Sequence, residues 1–161
     1  MASTHIHPSM NKWLQFASIG LFLAGAVTAF AQTSITPLDE LAFGTVAAVN
    51  GGTVTIGADG SRSVQGLIDV AAAPGGGVAT FDVQGTPSNA YSLSLPSSIT
   101  LHRSTGSETM TIDTLVTDPD GFGLLDGTGH QLLSIGATLH VAAAQRPGTY
   151  SGSFDITIDY Q

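Results

Sequence analysis

The stretch GTYSGSFDITIDYQ, Gly148–Gln161, decides how the whole chain is read. Tyr150, Gly152, Phe154, Ile156, Ile158 and Tyr160 occupy every second position, and Ser151, Ser153, Asp155, Thr157 and Asp159 fall between them. Successive side chains of an extended chain point to opposite faces, so this alternation predicts a half-buried β-strand over 149–160. Phe154, Ile156 and Ile158 are expected on the core side, with Asp155, Thr157 and Asp159 in water. The strand runs to the penultimate residue without a turn, cap or polar tail behind it. A strand edge carries unpaired N–H and C=O groups, which proteins usually blunt or cover. The question is what lies against this one.

Upstream, no stretch reads as an amphipathic helix. Short β-prone runs alternate with turn signals, the pattern of an all-β sandwich or barrel. Strands are expected near 41–48, 52–57, 62–70, 78–84, 90–95, 98–103, 108–116, 131–143 and 149–160. NGG at 50–52 and ADGS at 58–61 read as hairpin turns in which Gly supplies positive φ. APGGG (73–77), GTPSNA (85–90) and TDPDGFG (117–123) read as looser loops. No linker, charge block or internal repeat interrupts the pattern, so residues 32–161 are expected to form one domain.

Residues 1–31 have a different character. Lys12 precedes the apolar run WLQFASIGLFLAGAVTAF, and AFA at 29–31 supplies a small-x-small site. Together they predict a secretory signal cut between Ala31 and Gln32, with Met10 as an alternative start. The competing reading is an uncleaved anchor, since the run is nearly long enough to span a bilayer. The whole chain carries a formal charge of −8, and all 12 acidic residues lie after residue 31. Removing Lys12 with the signal leaves Arg62, Arg103 and Arg146 as the cations and makes the remainder one unit more negative. Nucleic acid and anionic membrane surfaces are poor partners for such a chain. It has no Cys, so export has not been used to form a disulfide.

The search for chemistry points away from an enzyme. His102, His130 and His140 are scattered and show no metal-ligand spacing, so no metal or other cofactor is expected. There is no G-x-S-x-G and no basic residue beside a candidate nucleophile. DPDG at 118–121, with Asp113 and Asp126 nearby, hints at calcium, but the ligand order and terminal Glu of an EF-hand are missing. It reads as a solvated acidic turn. Sugar-binding modules usually offer an aromatic platform, and Tyr91, Tyr150 and Tyr160 do not make an obvious one.

LAFG (41–44), GTVTIGADGSR (52–62), FDVQGTPSNAYSLSLP (81–96), TMTI (109–112), LLSIGATLHVAA (132–143) and GTYSGSFDITIDY (148–160) occur in this order. In this succession the chain resembles family 4402 of the bacterial domains of unknown function. That family is in turn similar to the spore-coat-U-type subunits of archaic chaperone–usher pili. The second resemblance implies an immunoglobulin-like sandwich, incomplete until a periplasmic chaperone, and later a neighbouring subunit, donates a strand. It also implies a C-terminal strand with a penultimate aromatic residue and a glycine fourteen places from the end, positions held here by Tyr160 and Gly148. Gly148, Tyr150, Phe154, Ile156, Ile158 and Tyr160 would then form the chaperone and subunit interface. The resemblance further implies passage through the periplasm to the cell surface or medium, with a chaperone, an usher and neighbouring copies as partners.

The N-terminal extension fits a donor strand poorly. Only QTSITPLDE precedes Leu41, with Ile35 and Leu38 as its apolar candidates, out of phase with each other. Pro37 must face an unpaired side or break the strand. The alternative is a stand-alone secreted sandwich with a complete fold, acting as a binding or adhesion module.

Overall fold

The computed structural model describes residues 33–48 and 50–161, so the expected signal lies outside the described residues. Every helix or strand among them is a strand. The larger sheet is built on β11 (His130–Val141). Leu133, Ile135, Ala137, Leu139 and Val141 alternate inward along it and are all buried. One flank of β11 pairs with β6 (Ala79–Gln84) through residues 130–135, then with β3 (Gly52–Ile56) through residues 137–141. Gly136 stands at this handover. A Cβ there would overlap the Ile56 carbonyl oxygen, so the position needs glycine for close approach. The other flank pairs with β9 (Thr109–Asp118), followed by β8 (Ser98–Arg103) and the short β12 (Tyr150–Ser151). β1 (Ser34–Asp39) lies outside β6, and β4 (Arg62–Gln65) outside β3. All of these pairings are antiparallel.

β9 reverses its inward parity halfway. Met110 and Ile112 are buried, whereas Leu115 and Thr117 are the more protected residues after a register shift opposite Gly136 and Thr138. The extra residue is Thr114, at φ 49°. An inserted residue of this kind bends the strand and increases its twist, which helps the sheet to curl. A three-stranded sheet, β10 (Phe122–Leu124), β7 (Ala90–Ser94) and β13 (Thr157–Tyr160), forms a second layer, and β2 (Ala42–Ala47) pairs with β5 (Ile68–Gly77). Leu41, Phe43, Tyr91, Leu125, Tyr150 and Phe154 join the inward residues of the larger sheet in one buried cluster. Each large apolar side chain so enclosed contributes about 1.5–3 kcal/mol. The fold is an all-β sandwich with an open edge on each layer, as the strand pattern led one to expect.

Several local expectations are revised. The run 62–70 is two strands, parted at Gly66 (φ +71°), which packs on the Gly51 backbone. APGGG is not a loop: Ala42 and Phe43 pair with Gly77 and Gly76, so tertiary pairing overrides weak local propensity. NGG joins strands of different sheets, whereas ADGS is a hairpin turn, with Gly57 N–H donating to Ser61 C=O at 2.8 Å. TDPDGFG contains the start of β10. The terminal segment is two short strands in two sheets. It pairs with β8 at 150–151, leaves at Gly152 and joins β7 at 157–160. Gly152 packs so closely on β8 that a Cβ would lie 2.7 Å from the Thr100 carbonyl oxygen. The predicted faces nevertheless hold: Phe154 is buried, Ile156 and Ile158 half-buried, and Asp155, Thr157 and Asp159 exposed.

Candidate functional site

The sheet edges locate the site. In β13, Gln161 N–H donates to Ala90 C=O at 2.9 Å. Antiparallel ladders alternate, so residues 157 and 159 direct their backbone groups at β7, and Ile158 and Tyr160 direct theirs away from it. No strand among the described residues pairs on that side. β1 is the terminal strand of the larger sheet. Gly85 N–H bonds Gly129 C=O at 2.9 Å, which fixes the β6 ladder and turns Asp82 and Gln84 toward β1. Thr36 and Ser34 therefore pair with β6, while Ile35 and Pro37 present their backbones to the open side. Pro37, with no N–H, falls where the β6 ladder needs none.

Between these two edges lies a groove of about 180 Å³ lined by Thr33, Ser34, Ile35, Ile156, Ile158 and Tyr160. At one end Tyr160 crosses it, its hydroxyl donating to the Gln84 carbonyl at 2.9 Å. Its ring packs so close to Gly85 that a Cβ there would sit 2.9 Å from Tyr160 Cε1. Tyr160 also meets Tyr91 at a ring-centroid distance of 6.2 Å. Burial raises the pKa of Tyr160; burial first, then the Tyr160 charge, raises that of Tyr91. Both rings thus stay neutral well into alkaline conditions. The groove is a seam of mixed character, with Ile35, Ile156, Ile158 and Tyr160 beside Thr33 and Ser34, and its rims carry unpaired ladder groups, a surface complementary to another extended backbone.

Of the residues expected at an interface, the structure brings Ile156, Ile158 and Tyr160 together, and with them Ile35 of the expected donor strand. It places the others elsewhere. Tyr150 is fully buried, its hydroxyl donating to Arg146 C=O at 2.7 Å and accepting from Gln145 Nε2 at 2.8 Å. A tyrosine bonding back to the chain just upstream, at the start of a late strand, is a corner motif of immunoglobulin-type sandwiches. Gly148 packs on the Arg103 side chain: a Cβ there would lie 2.5 Å from Arg103 Nε. Arg103 in turn holds Pro147 C=O through Nε at 2.9 Å and Nη2 at 2.6 Å. Phe154 is 7% exposed and lines a different groove with Leu95 and Ile99. Leu38, 56% exposed, sits at the β1 bulge away from the seam lining. Thr33, Ser34, Gln84 and Gly85 were not singled out in the sequence, where nothing marks residues so far apart as neighbours.

The turn at Asp126, close to the acidic DPDG run, is internally satisfied. Asp126 Oδ1 accepts from Thr128 N–H and Thr128 Oγ1, both at 2.7 Å, and from His130 N–H at 3.0 Å. Asp113 lies on the outer face of the larger sheet, bonded to His140 Nε2 at 2.9 Å. Among the described residues no group of three or more His, Cys, Asp or Glu side chains is placed to hold a metal ion.

Fold and seam together define a class: a β-sandwich with an unsealed strand edge on either side of one groove. The chain belongs to the DUF4402 family, described as a domain of unknown function, whose profile matches residues 33–160. No curated protein and no solved structure matches it.

Proposed function

We propose that this protein is an exported structural subunit of a surface fibre or coat, pilin-like, assembled when a partner donates a strand to the seam. One observation carries the reading: the unpaired edges of β1 and β13 face each other across a groove lined by Ile35, Ile156, Ile158 and Tyr160. An inserted strand would satisfy both rims through main-chain hydrogen bonds and withdraw the remaining apolar surface from water. Under this reading a periplasmic chaperone occupies the seam in transit, an usher receives the subunit, and neighbouring copies or related subunits replace the chaperone at the cell surface. The protein would work by assembly, with no catalytic step and no cofactor.

A second reading has its own support. Ser34–Asp39 is already paired with β6 of the same chain and cannot serve a neighbour without leaving that sheet. The Tyr160–Gln84 hydrogen bond also closes one end of the seam from within. Both features suit a stand-alone secreted adhesion module.

Co-expression with each periplasmic chaperone encoded beside the gene separates the two. Strand donation predicts a co-purifying complex in which the Ile158 and Tyr160 amides are protected from hydrogen exchange relative to the isolated subunit. A short polar C-terminal tag should weaken that complex, because each added residue carries about 3.3 Å of polar chain past the β13 edge where the donated strand would pair. An N-terminal tag after the signal should weaken it less. A stable monomer that binds none of the chaperones, with unchanged exchange at those amides, would establish the stand-alone module instead.

A further inference from the structure

The outer face of the larger sheet carries a pattern that the seam does not use. Thr53, His140, Thr111 and Thr100 stand opposite one another on β3, β11, β9 and β8. The neighbouring row is Thr55, Thr138, Asp113 and Ser98 on the same strands. Adjacent strands lie about 4.8 Å apart and alternate residues about 6.7 Å apart, so the hydroxyls form a close lattice. Threonine favours strands, and a threonine-rich outer face by itself is an ordinary solvated surface. Here, however, part of the face is also concave. The Asn50–Gly52 turn and residues 142–145 join the sheet in lining a groove of about 530 Å³ over Thr53, His140 and Thr111.

The lining narrows the ligand. Asn50, Thr53, Thr109, Thr111, His140 and Gln145 supply its polar side chains, with no Lys, Arg, Asp or Glu among the lining residues. Asp113, beside His140 on the sheet, is engaged by His140 Nε2 at 2.9 Å and by the Thr114 hydroxyl at 3.0 Å. Those hydrogen bonds, His140 first, hold its carboxyl below the usual range. An ionised carboxylate only accepts, so His140 Nε2 donates in this hydrogen bond. Gln145 Nε2 donates to Thr109 C=O at 3.2 Å and to the Tyr150 hydroxyl at 2.8 Å, leaving Oε1 to accept. On a chain of charge −8, the groove has no Lys or Arg to hold a phosphate or carboxylate and no Asp or Glu to hold an amine. Groups that both donate and accept match a ligand that does the same without charge. Sugar hydroxyls have that chemistry, and Ala142 and Ala143 offer apolar surface to sugar C–H faces.

We propose that this groove binds a neutral polysaccharide chain. Tyr91, Tyr150 and Tyr160 do not line it, so no tyrosine stacking strengthens each contact, and a single oligosaccharide is held by hydrogen bonds and weak apolar contact alone. The site is separate from the seam, so the outcome here does not depend on strand donation.

The test uses the isotopically labelled protein without its signal, titrated with cellotriose, maltotriose and the N-acetylglucosamine trimer. Trigalacturonate serves as the charged control. At least one neutral trisaccharide should produce saturable amide shifts at Asn50, Gly51, Thr53, Thr111 and His140, and trigalacturonate should not. Thr53→Val and Thr111→Val keep shape and remove hydroxyls, and each should weaken binding roughly three- to tenfold. Their urea midpoints should stay near that of the parent. Absence of saturable shifts with all three neutral sugars, equal shifts with trigalacturonate, or shifts centred on the β1–β13 seam would each overturn the assignment.

Discussion

β10 and β13 flank β7 in the same three-stranded sheet, yet their outer edges are treated in opposite ways. In β10, Leu93 N–H bonds Gly121 C=O and Leu125 N–H bonds Asn89 C=O, so Gly123 faces β7 and residues 122 and 124 face outward. Both outward N–H groups are occupied. Phe122 N–H donates to Asp120 C=O at 2.8 Å, and Leu124 N–H to the Gln131 side-chain oxygen at 2.8 Å. In β13 the corresponding groups of Ile158 and Tyr160 face the seam with no strand beside them. The side chains are reversed as well. β10 exposes Phe122 (74%) and Leu124 (61%), while β13 keeps Ile158 and Tyr160 toward the core and sends Thr157 and Asp159 into water. A side-chain amide that caps one edge closes it to further pairing. The edge left uncapped is the one that also borders the groove lined by Ile35, Ile156, Ile158 and Tyr160.

The comparison breaks most visibly at paired substitutions on the two edges. Ile158→Asp places a carboxylate against the core and should cost about 2–4 kcal/mol, whereas Leu124→Asp puts the same group in water and should stay within about 0.5 kcal/mol. Urea titrations of both variants measure the gap. Similar midpoints would mean that the two edges do not differ in burial as described.

A smaller effect tests the caps themselves. Gln131→Ala removes the acceptor from Leu124 N–H, and Tyr160→Phe removes the donor that ties the seam to Gln84. Each should cost about 1 kcal/mol. The two variants should differ in where they loosen. Gln131→Ala should speed hydrogen exchange at Leu124 and promote association through β10, visible as concentration-dependent elution. Tyr160→Phe should speed exchange across the β1–β13 seam. It should also flatten the alkaline loss of stability. The folded pKa of Tyr160 is raised, so its contribution is complete below the unfolded tyrosine pKa and is lost as pH rises through the folded one. Identical exchange patterns in the two variants would erase the distinction.

Much of this contrast was legible in the sequence, though unevenly. The alternation from Phe154 to Tyr160 reported the faces of the terminal segment correctly, because side-chain period survives whatever the strand pairs with. It could not report the partner. Tyr150 and Ile158 belong to different sheets because Gly152 is drawn against Thr100, 52 residues away in the chain. β10 was hidden in an acidic, glycine-containing loop, since a three-residue strand held by one neighbour has no periodicity to read. Gly148 drew attention by its spacing from the end and Tyr150 by the alternation. Their identities are accounted for by Arg103 and Arg146 of the same chain. The seam needed β1 and β13 side by side, and no local pattern encodes that.

The smallest expected effect concerns the turn that carries Gln131 into place. Asp126 lies between β10 and β11, and its carboxylate collects the His130 and Thr128 N–H groups together with the Thr128 hydroxyl. These hydrogen bonds, that from the His130 backbone foremost, lower its pKa from 3.8 to about 2. A group whose pKa is lowered by folding stabilises fully above its unfolded value, and that contribution is lost as pH falls through the folded value. The window is therefore about pH 4 down to about pH 2. Asp126 is solvent-exposed, so screening keeps the contribution small. The pKa values of Asp113 and Glu108 are lowered too, so the informative quantity is a difference between proteins. Asp126→Asn retains an acceptor oxygen and removes the titration. The midpoint gap between parent and Asp126→Asn should be constant above about pH 5 and close as pH drops toward 2. Over that interval exchange at Leu124 should accelerate in the parent while exchange at Ile158 keeps its ordinary pH dependence. A gap that stays constant down to pH 2 would show that the Asp126 turn does not support the capped edge.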